Sequence, residues 1–266
     1  MKFSFMSFST PSLSLDDMLA LAKKLGYDGV EPRIDTKHAH GIELAAGAAT
    51  RKAARRKAAK AGIAYACLAT SCKYCDPANN AAMREATLRC IDLAADIGCP
   101  RLRVFGGGLA KGFSREAASD LLAESLKSVA DRAAKRKVTV CMETHDDWCD
   151  PSHVAAVMTK VNHPAIAVNW DIMHPVRACG WTVDASYNAL KLWIRHLHVH
   201  DGKFTGEQKM DLAPIGTGAV DHKRGIELLK ADGYTGFLSG EWIQWEPYEI
   251  HLPRELATLK KHAAES

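Results

Sequence analysis

The sequence lacks most of the features that would take it outside the ordinary globular class. No run approaches the roughly 18 consecutive apolar residues that a membrane-crossing helix needs, so no membrane partner is expected. The opening stretch, Met1-Lys2-Phe3-Ser4-Phe5-Met6-Ser7-Phe8, carries one charge and an apolar pattern broken by serines. It suits a first strand better than an export signal. Without that signal, the eight cysteines, at 67, 72, 75, 90, 99, 141, 149 and 179, read as reduced thiols of a cytoplasmic protein. Cys72-Lys73-Tyr74-Cys75 has no second CxxC to complete a structural zinc site and opens no clear helix, so it stays unassigned. A strong charge of one sign is missing too, the net charge being +4. The basic residues Arg51, Lys52, Arg55, Arg56, Lys57 and Lys60 crowd one helix and read as its solvated face. That leaves no broad surface for tracking phosphates, and no nucleic-acid partner is expected. There is no Walker motif, Gly106-Gly107-Gly108 does not follow GxGxxG, and Phe8-Ser9-Thr10-Pro11 stands where a doubly wound sheet would put its phosphate loop.

What remains is a chain of 266 residues, 47% hydrophobic and 25% charged, that alternates strand and helix almost throughout. Strands are expected at 3–7, 29–34, 63–70, 102–105, 138–143, 166–171, 194–200 and 237–241. Helices fall between them, at about 43–61, 80–97, 114–136, 150–160, 183–192 and 221–232, with a first helix from Ser14 to Gly26 and a last at 253–264. The strands are apolar on both faces, as in a parallel sheet covered by helices. Eight such units in about 250 residues are the pattern of a (β/α)8 TIM barrel, here one domain over residues 1–266.

In such a barrel the active site lies at the carboxyl ends of the strands. Reading the last polar residue of each strand gives Glu31, Glu143, Asp171, His198 and Glu241. The last four close consecutive strands and can converge on one point. In Ile194-Arg195-His196-Leu197-His198-Val199-His200, the three histidines alternate with apolar residues and therefore share a face. Any one of these side chains alone is explained as well by a helix cap, a surface charge or a hydrogen-bonded core histidine. Carboxylates with an imidazole, in register at strand ends, suit one divalent ion: Mn²⁺ or Mg²⁺ first, Co²⁺ or Zn²⁺ also.

Val140-Cys141-Met142-Glu143-Thr144-His145, Val168-Asn169-Trp170-Asp171-Ile172-Met173-His174, His196-Leu197-His198-Val199-His200-Asp201, Gly240-Glu241-Trp242 and the loop Pro214-Ile215-Gly216-Thr217-Gly218-Ala219-Val220-Asp221 resemble segments of the xylose isomerase-like TIM-barrel superfamily. The resemblance covers nearly the whole chain and is specific for the superfamily, not for a substrate. It implies metal ligands Glu143, Asp171, His198 and Glu241, with His196 deeper in the barrel and His200 at the outer rim. It further implies that Glu143 and Glu241 move protons on opposite faces of a small sugar, cyclitol or hydroxy-keto acid during isomerisation or epimerisation through an enediolate. His174 would contact a substrate oxygen.

Two other chemistries compete. In related 3-dehydroshikimate dehydratases a histidine spaced like His145 acts as base; otherwise His145 orients Glu143. An AP endonuclease-like reading needs further histidines after strands three and four, which here end in Ala69-Thr70-Ser71 and Phe105-Gly106-Gly107. Lys203 stands near the place of a substrate-binding arginine in ketose 3-epimerases. Glu31 and Arg33 are expected to bind substrate hydroxyls or to pair across the mouth, and Trp170 to stack on a sugar face or pack in the core. The expected partner is a small carbohydrate-like molecule, with a homo-oligomer left open.

Overall fold

The computed structural model describes residues 1–204 and 210–266. In chain order its strands are β1 Lys2–Met6, β2 Gly29–Glu31, β3 Ala64–Tyr65, β4 Leu68–Lys73, β5 Arg101–Phe105, β6 Thr139–Glu143, β7 Ile166–Asp171, β8 Ile194–Val199, the hairpin pair β9 Asp201–Phe204 and β10 Met210–Ala213, and β11 Phe237–Gly240. All but the hairpin lie in one parallel sheet of order β3-β2-β1-β11-β8-β7-β6-β5-β4. The two ends, β3 and β4, are halves of one stave interrupted at Ala66-Cys67. A bridge between Arg33 and Ala69 closes the ring, with the Ile34 amide 3.0 Å from the Ala69 carbonyl and the Ala69 amide 3.0 Å from that of Pro32. Pro32 has no N–H to give the ladder, and β2 stops at Glu31. The fold is therefore the expected TIM barrel, each expected strand matched by one stave.

The helices are α1 Leu15–Leu25, α2 Ala48–Ala61, α3 Asn80–Ile97, α4 Arg115–Arg136, α5 Pro151–Val161, α6 Met173–Cys179, α7 Val183–Leu190, α8 His222–Ala231 and α9 Tyr248–Glu265. Their starts follow the capping residues: the hydroxyls of Ser14, Ser114 and Thr182 and the carboxylate of Asp150 each accept from a first-turn amide. Two boundaries differ from expectation. α2 begins at Ala48 and not near 43, because the Glu43 carboxylate accepts from the Asp35 and Lys37 amides and belongs to the preceding loop. α9 begins at Tyr248, with Pro253 inside it; the proline forfeits one bond to the carbonyl of exposed Glu249.

The hairpin β9–β10 and the short α6 were not expected. Asp201 explains how the hairpin is held: its carboxylate accepts from the backbone amides of Gly202, Gly216, Gly218 and Val220. Gly218 lies so close that any Cβ there would collide with the Asp201 carboxylate. All eight cysteines are free thiols, seven of them buried. No helix among the described residues is long and apolar enough to cross a membrane.

Candidate metal centre at the mouth of the barrel

Parallel register brings the strand ends level. Asp171 at the end of β7 lies opposite His198 on β8, and His198 lies opposite Ser239 on β11, two residues before Glu241. Glu143 ends β6 opposite Asn169. The four residues Glu143, Asp171, His198 and Glu241 are buried and each presents one donor atom, all within 4.8 Å of one another. His198 Nδ1 is the hub, 2.9 Å from Glu143 Oε1 and 3.2 Å from Glu241 Oε2. Thr144 ties two of the strand ends together: its hydroxyl donates to the Asp171 carbonyl at 3.1 Å and accepts from the Asp171 amide at 3.0 Å. One oxygen of Asp171 caps α6 by accepting from the amides of Met173 and His174. Its other oxygen is 2.8 Å from His200 Nε2. Asp171 is thus a helix cap and a member of the cluster at once.

Each donor is held from behind. Glu31 Oε1 accepts from His198 Nε2 at 3.0 Å, and its Oε2 lies 2.8 Å from His196 Nε2. A hydrogen on Nε2 leaves the Nδ1 lone pair facing the cluster, the usual support for a metal-binding imidazole. Arg103, inside the barrel on β5 and 1% exposed, sets its Nε 3.1 Å from Glu143 Oε2 and donates to the Thr70 carbonyl at 2.8 Å. Electrostatics follow from burial and proximity. Burial alone would push Glu31 up, but the imidazoles of His196 and His198 outweigh it and hold the carboxyl well below its ordinary range. Glu241 is likewise drawn to about 2, burial being outweighed by His198.

The residues fit a divalent cation. Three carboxylate oxygens and one imidazole nitrogen form a borderline-hard donor set. The buried carboxylates Glu31, Glu143, Asp171 and Glu241 lie among the imidazoles of His196, His198 and His200 and near the guanidinium groups of Arg103 and Arg33.

Other sequence expectations fall differently. Glu31 does not reach substrate space: it is fully buried beneath His198. Arg33 neither pairs with Glu31 nor lies free. Its guanidinium donates to the Ile34 carbonyl and to Ser71 Oγ at 2.6 Å, and it lies at the mouth. Trp170 points away from the mouth, because strand alternation sends Asn169 and Asp171 inward and the indole outward. Its Nε1 donates to Ser186 on α7 at 2.9 Å, and its ring packs 5.7 Å from Tyr187, so it is core. Lys203 is exposed on β9, opposite Asp211 in the hairpin. His200 follows the end of β8, outward of His198, and is buried there with its Nε2 2.8 Å from Asp171 Oδ2. His174 does adjoin the cluster, its Nε2 3.8 Å from Asp171 Oδ2. His145 turns to Asp146, with Nδ1 2.9 Å from Oδ1, and packs against His174 at 4.7 Å. Arg103 and Asn169 were missed. An arginine at the middle of Arg101-Leu102-Arg103-Val104-Phe105 was the available signal, since the pleat that buries one face also turns position 103 inward.

Comparison with known proteins adds to this geometry. A family model described as xylose isomerase-like TIM barrel matches residues 19–262. The chain is 25% identical over 178 residues to a putative hydroxypyruvate isomerase from Mus musculus, an alignment covering 62% of this chain and 62% of that relative, so less than two thirds of its length is spanned. It is 26% identical over 237 residues to the L-ribulose-5-phosphate 3-epimerase UlaE from Salmonella typhi, covering 86% of this chain and 82% of the relative. Among solved structures, the IOLI protein with a bound zinc atom superposes with a TM-score of 0.83 at 18% identity, over 100% of this chain and 97% of that one. The probable 3-DHS dehydratase AsbF from Bacillus anthracis superposes at 0.80 and 18% identity, over 98% and 99%. At that identity the structural likeness speaks for the fold.

Proposed function

The chain belongs to the xylose isomerase-like TIM-barrel family, and from that premise we propose that it is a divalent-metal-dependent isomerase or epimerase of a small sugar, cyclitol or hydroxy-keto acid. The observation that carries the reading is the convergence of Glu143, Asp171, His198 and Glu241, buried, at the carboxyl ends of four staves. These would hold the ion, Mn²⁺ or Mg²⁺ by their oxygen-rich character, with Co²⁺ or Zn²⁺ also compatible. A bound divalent ion supplies Lewis acidity toward a carbonyl and its neighbouring hydroxyl, which makes the intervening C–H acidic.

The protein's own groups do the rest. Glu143 and Glu241 approach His198 Nδ1 from different staves and form the acid/base pair: one takes the proton and the other returns it at the same or the adjacent carbon. Arg103, with its Nε 3.1 Å from Glu143 Oε2, holds that carboxylate in place from the side away from His198 Nδ1. His200 fixes Asp171, and Glu31 fixes the tautomer of His198. His174, beside Asp171, is placed to donate to a substrate oxygen. The substrate is a carbohydrate-like small molecule and the setting a reducing cytoplasm, in keeping with the unbonded thiols.

A second reading, a dehydratase of the 3-dehydroshikimate or inosose type, is favoured by one observation. His145 is backed by Asp146 at 2.9 Å, an arrangement that suits a general base. The deciding experiment is turnover of hydroxypyruvate, L-ribulose 5-phosphate, free ketoses, inososes and 3-dehydroshikimate by metal-stripped protein and by protein resupplied with each ion. Activity restored by the ion and abolished in Glu143→Gln and Glu241→Gln supports the isomerase; full activity in both variants refutes the acid/base assignment. A dehydrated product transfers the base role to His145.

A further inference from the structure

Beside the candidate centre lies a cavity of about 340 Å³. His145, His174, Asp146, Asp147, Cys149 and Arg177 form its wall. Its volume is at the small end of the range for small-molecule sites. One imidazole separates Arg177 from the cluster: Arg177 Nη2 is 3.5 Å from His174 Nδ1, and His174 Nε2 is 3.8 Å from Asp171 Oδ2. A guanidinium only donates, so Nδ1 of His174 is the acceptor and Nε2 carries the hydrogen toward the cluster.

The charges of this wall do not cancel locally. Asp146 is committed to His145 Nδ1 at 2.9 Å and to Lys73 Nζ at 3.7 Å. Asp147 accepts from the Leu109 amide at 2.6 Å. Arg177 is half-buried and, among the described residues, forms no ion pair with any carboxylate. A planar fork of donors, half-removed from water and without a counter-ion, is suited to a carboxylate or phosphate brought by a ligand.

We propose that Arg177 anchors the anionic end of the substrate, so that the protein acts on a small hydroxy-keto acid or sugar phosphate in preference to a neutral sugar. This rests on the isomerase reading above and narrows its substrate class. Hydroxypyruvate and L-ribulose 5-phosphate, in the names of the two curated relatives, are both anions of this kind.

The test has two arms. In the first, kcat/KM of the metal-loaded enzyme is measured for L-ribulose 5-phosphate against L-ribulose and for hydroxypyruvate against hydroxyacetone, with wild type, Arg177→Gln and Arg177→Lys. The wild type should prefer the charged member of a pair, with the phosphate or the carboxylate pair showing which anion is read. Arg177→Gln should cut that preference at least tenfold, with Arg177→Lys intermediate. Equal loss on charged and neutral members would overturn the proposal, because Arg177 would then act only through His174; so would an unchanged preference. The second arm needs no turnover: inorganic phosphate and malonate, added separately, should raise the Tm of wild type and not that of Arg177→Gln, whose fold is checked by circular dichroism. If wild type turns over none of the substrates, the isomerase reading fails. The second arm then decides the anion site alone, and no stabilisation by either anion overturns it.

Discussion

Glu31 holds His198 from beneath. Its Oε1 lies 3.0 Å from His198 Nε2, while its Oε2 lies 2.8 Å from His196 Nε2, so one carboxylate on β2 locks two imidazoles on β8 across the barrel. Glu31→Gln keeps the size and one acceptor but removes the charge that fixes the His198 tautomer. Mn²⁺ affinity, measured by calorimetric titration, should fall about 10–100-fold with the fold intact. Unchanged affinity would mean that Glu31 does not position His198.

Arg103 is the counter-charge to Glu143. Replacing it with methionine fills similar space and leaves a buried carboxylate without its cation, which typically costs about 3–5 kcal/mol. Urea unfolding of metal-stripped Arg103→Met should show that loss. The loss should shrink when a divalent ion is added, since the ion supplies positive charge to the same carboxylate. Equal loss with and without the ion would separate Arg103 from the centre.

His40 sits in the loop after β2, where burial pushes its imidazole down to about 4 and nearby His38 pushes the same way. Its Nδ1 accepts from the Ile42 amide at 3.0 Å, a bond that requires the neutral ring. The unfolded chain therefore binds the proton more readily, with an ordinary value near 6.5. The contribution is present in full above pH 6.5 and is lost as the pH falls toward 4, up to roughly 3 kcal/mol in the limit. Between pH 7 and pH 5, the fall in urea-unfolding stability should be smaller for His40→Gln than for wild type. Parallel slopes would reject the assignment.

The sequence made the staves legible because each is a short apolar run between capping residues and glycines, and because strand ends in a barrel share one height. That logic places Glu143, Asp171, His198 and Glu241 together without further information. It did not reveal depth. Glu31 ends its strand in the same way as Glu143, but its two oxygens are taken up by Nε2 of His198 and Nε2 of His196, so it meets the far side of His198 and not its Nδ1. Nor did it reveal facing: Trp170 is adjacent to Asp171, and the pleat turns it onto α7. Arg103 was hidden because its partner lies on the next strand, and only the pairing of Phe105 with Glu143 shows how close they come. The hairpin after β8 depends on four backbone amides converging on Asp201, a pattern with no local periodicity.

The most direct test of the central claim is solvent exchange followed by NMR: substrate incubated in D₂O with the protein and Mn²⁺, then with the protein after chelation. Deuterium entering at the carbon beside the carbonyl, only with the ion and not in Glu143→Gln or Glu241→Gln, is the expected result. Exchange that survives chelation, or that persists in both variants, would contradict metal-assisted enolisation by this pair.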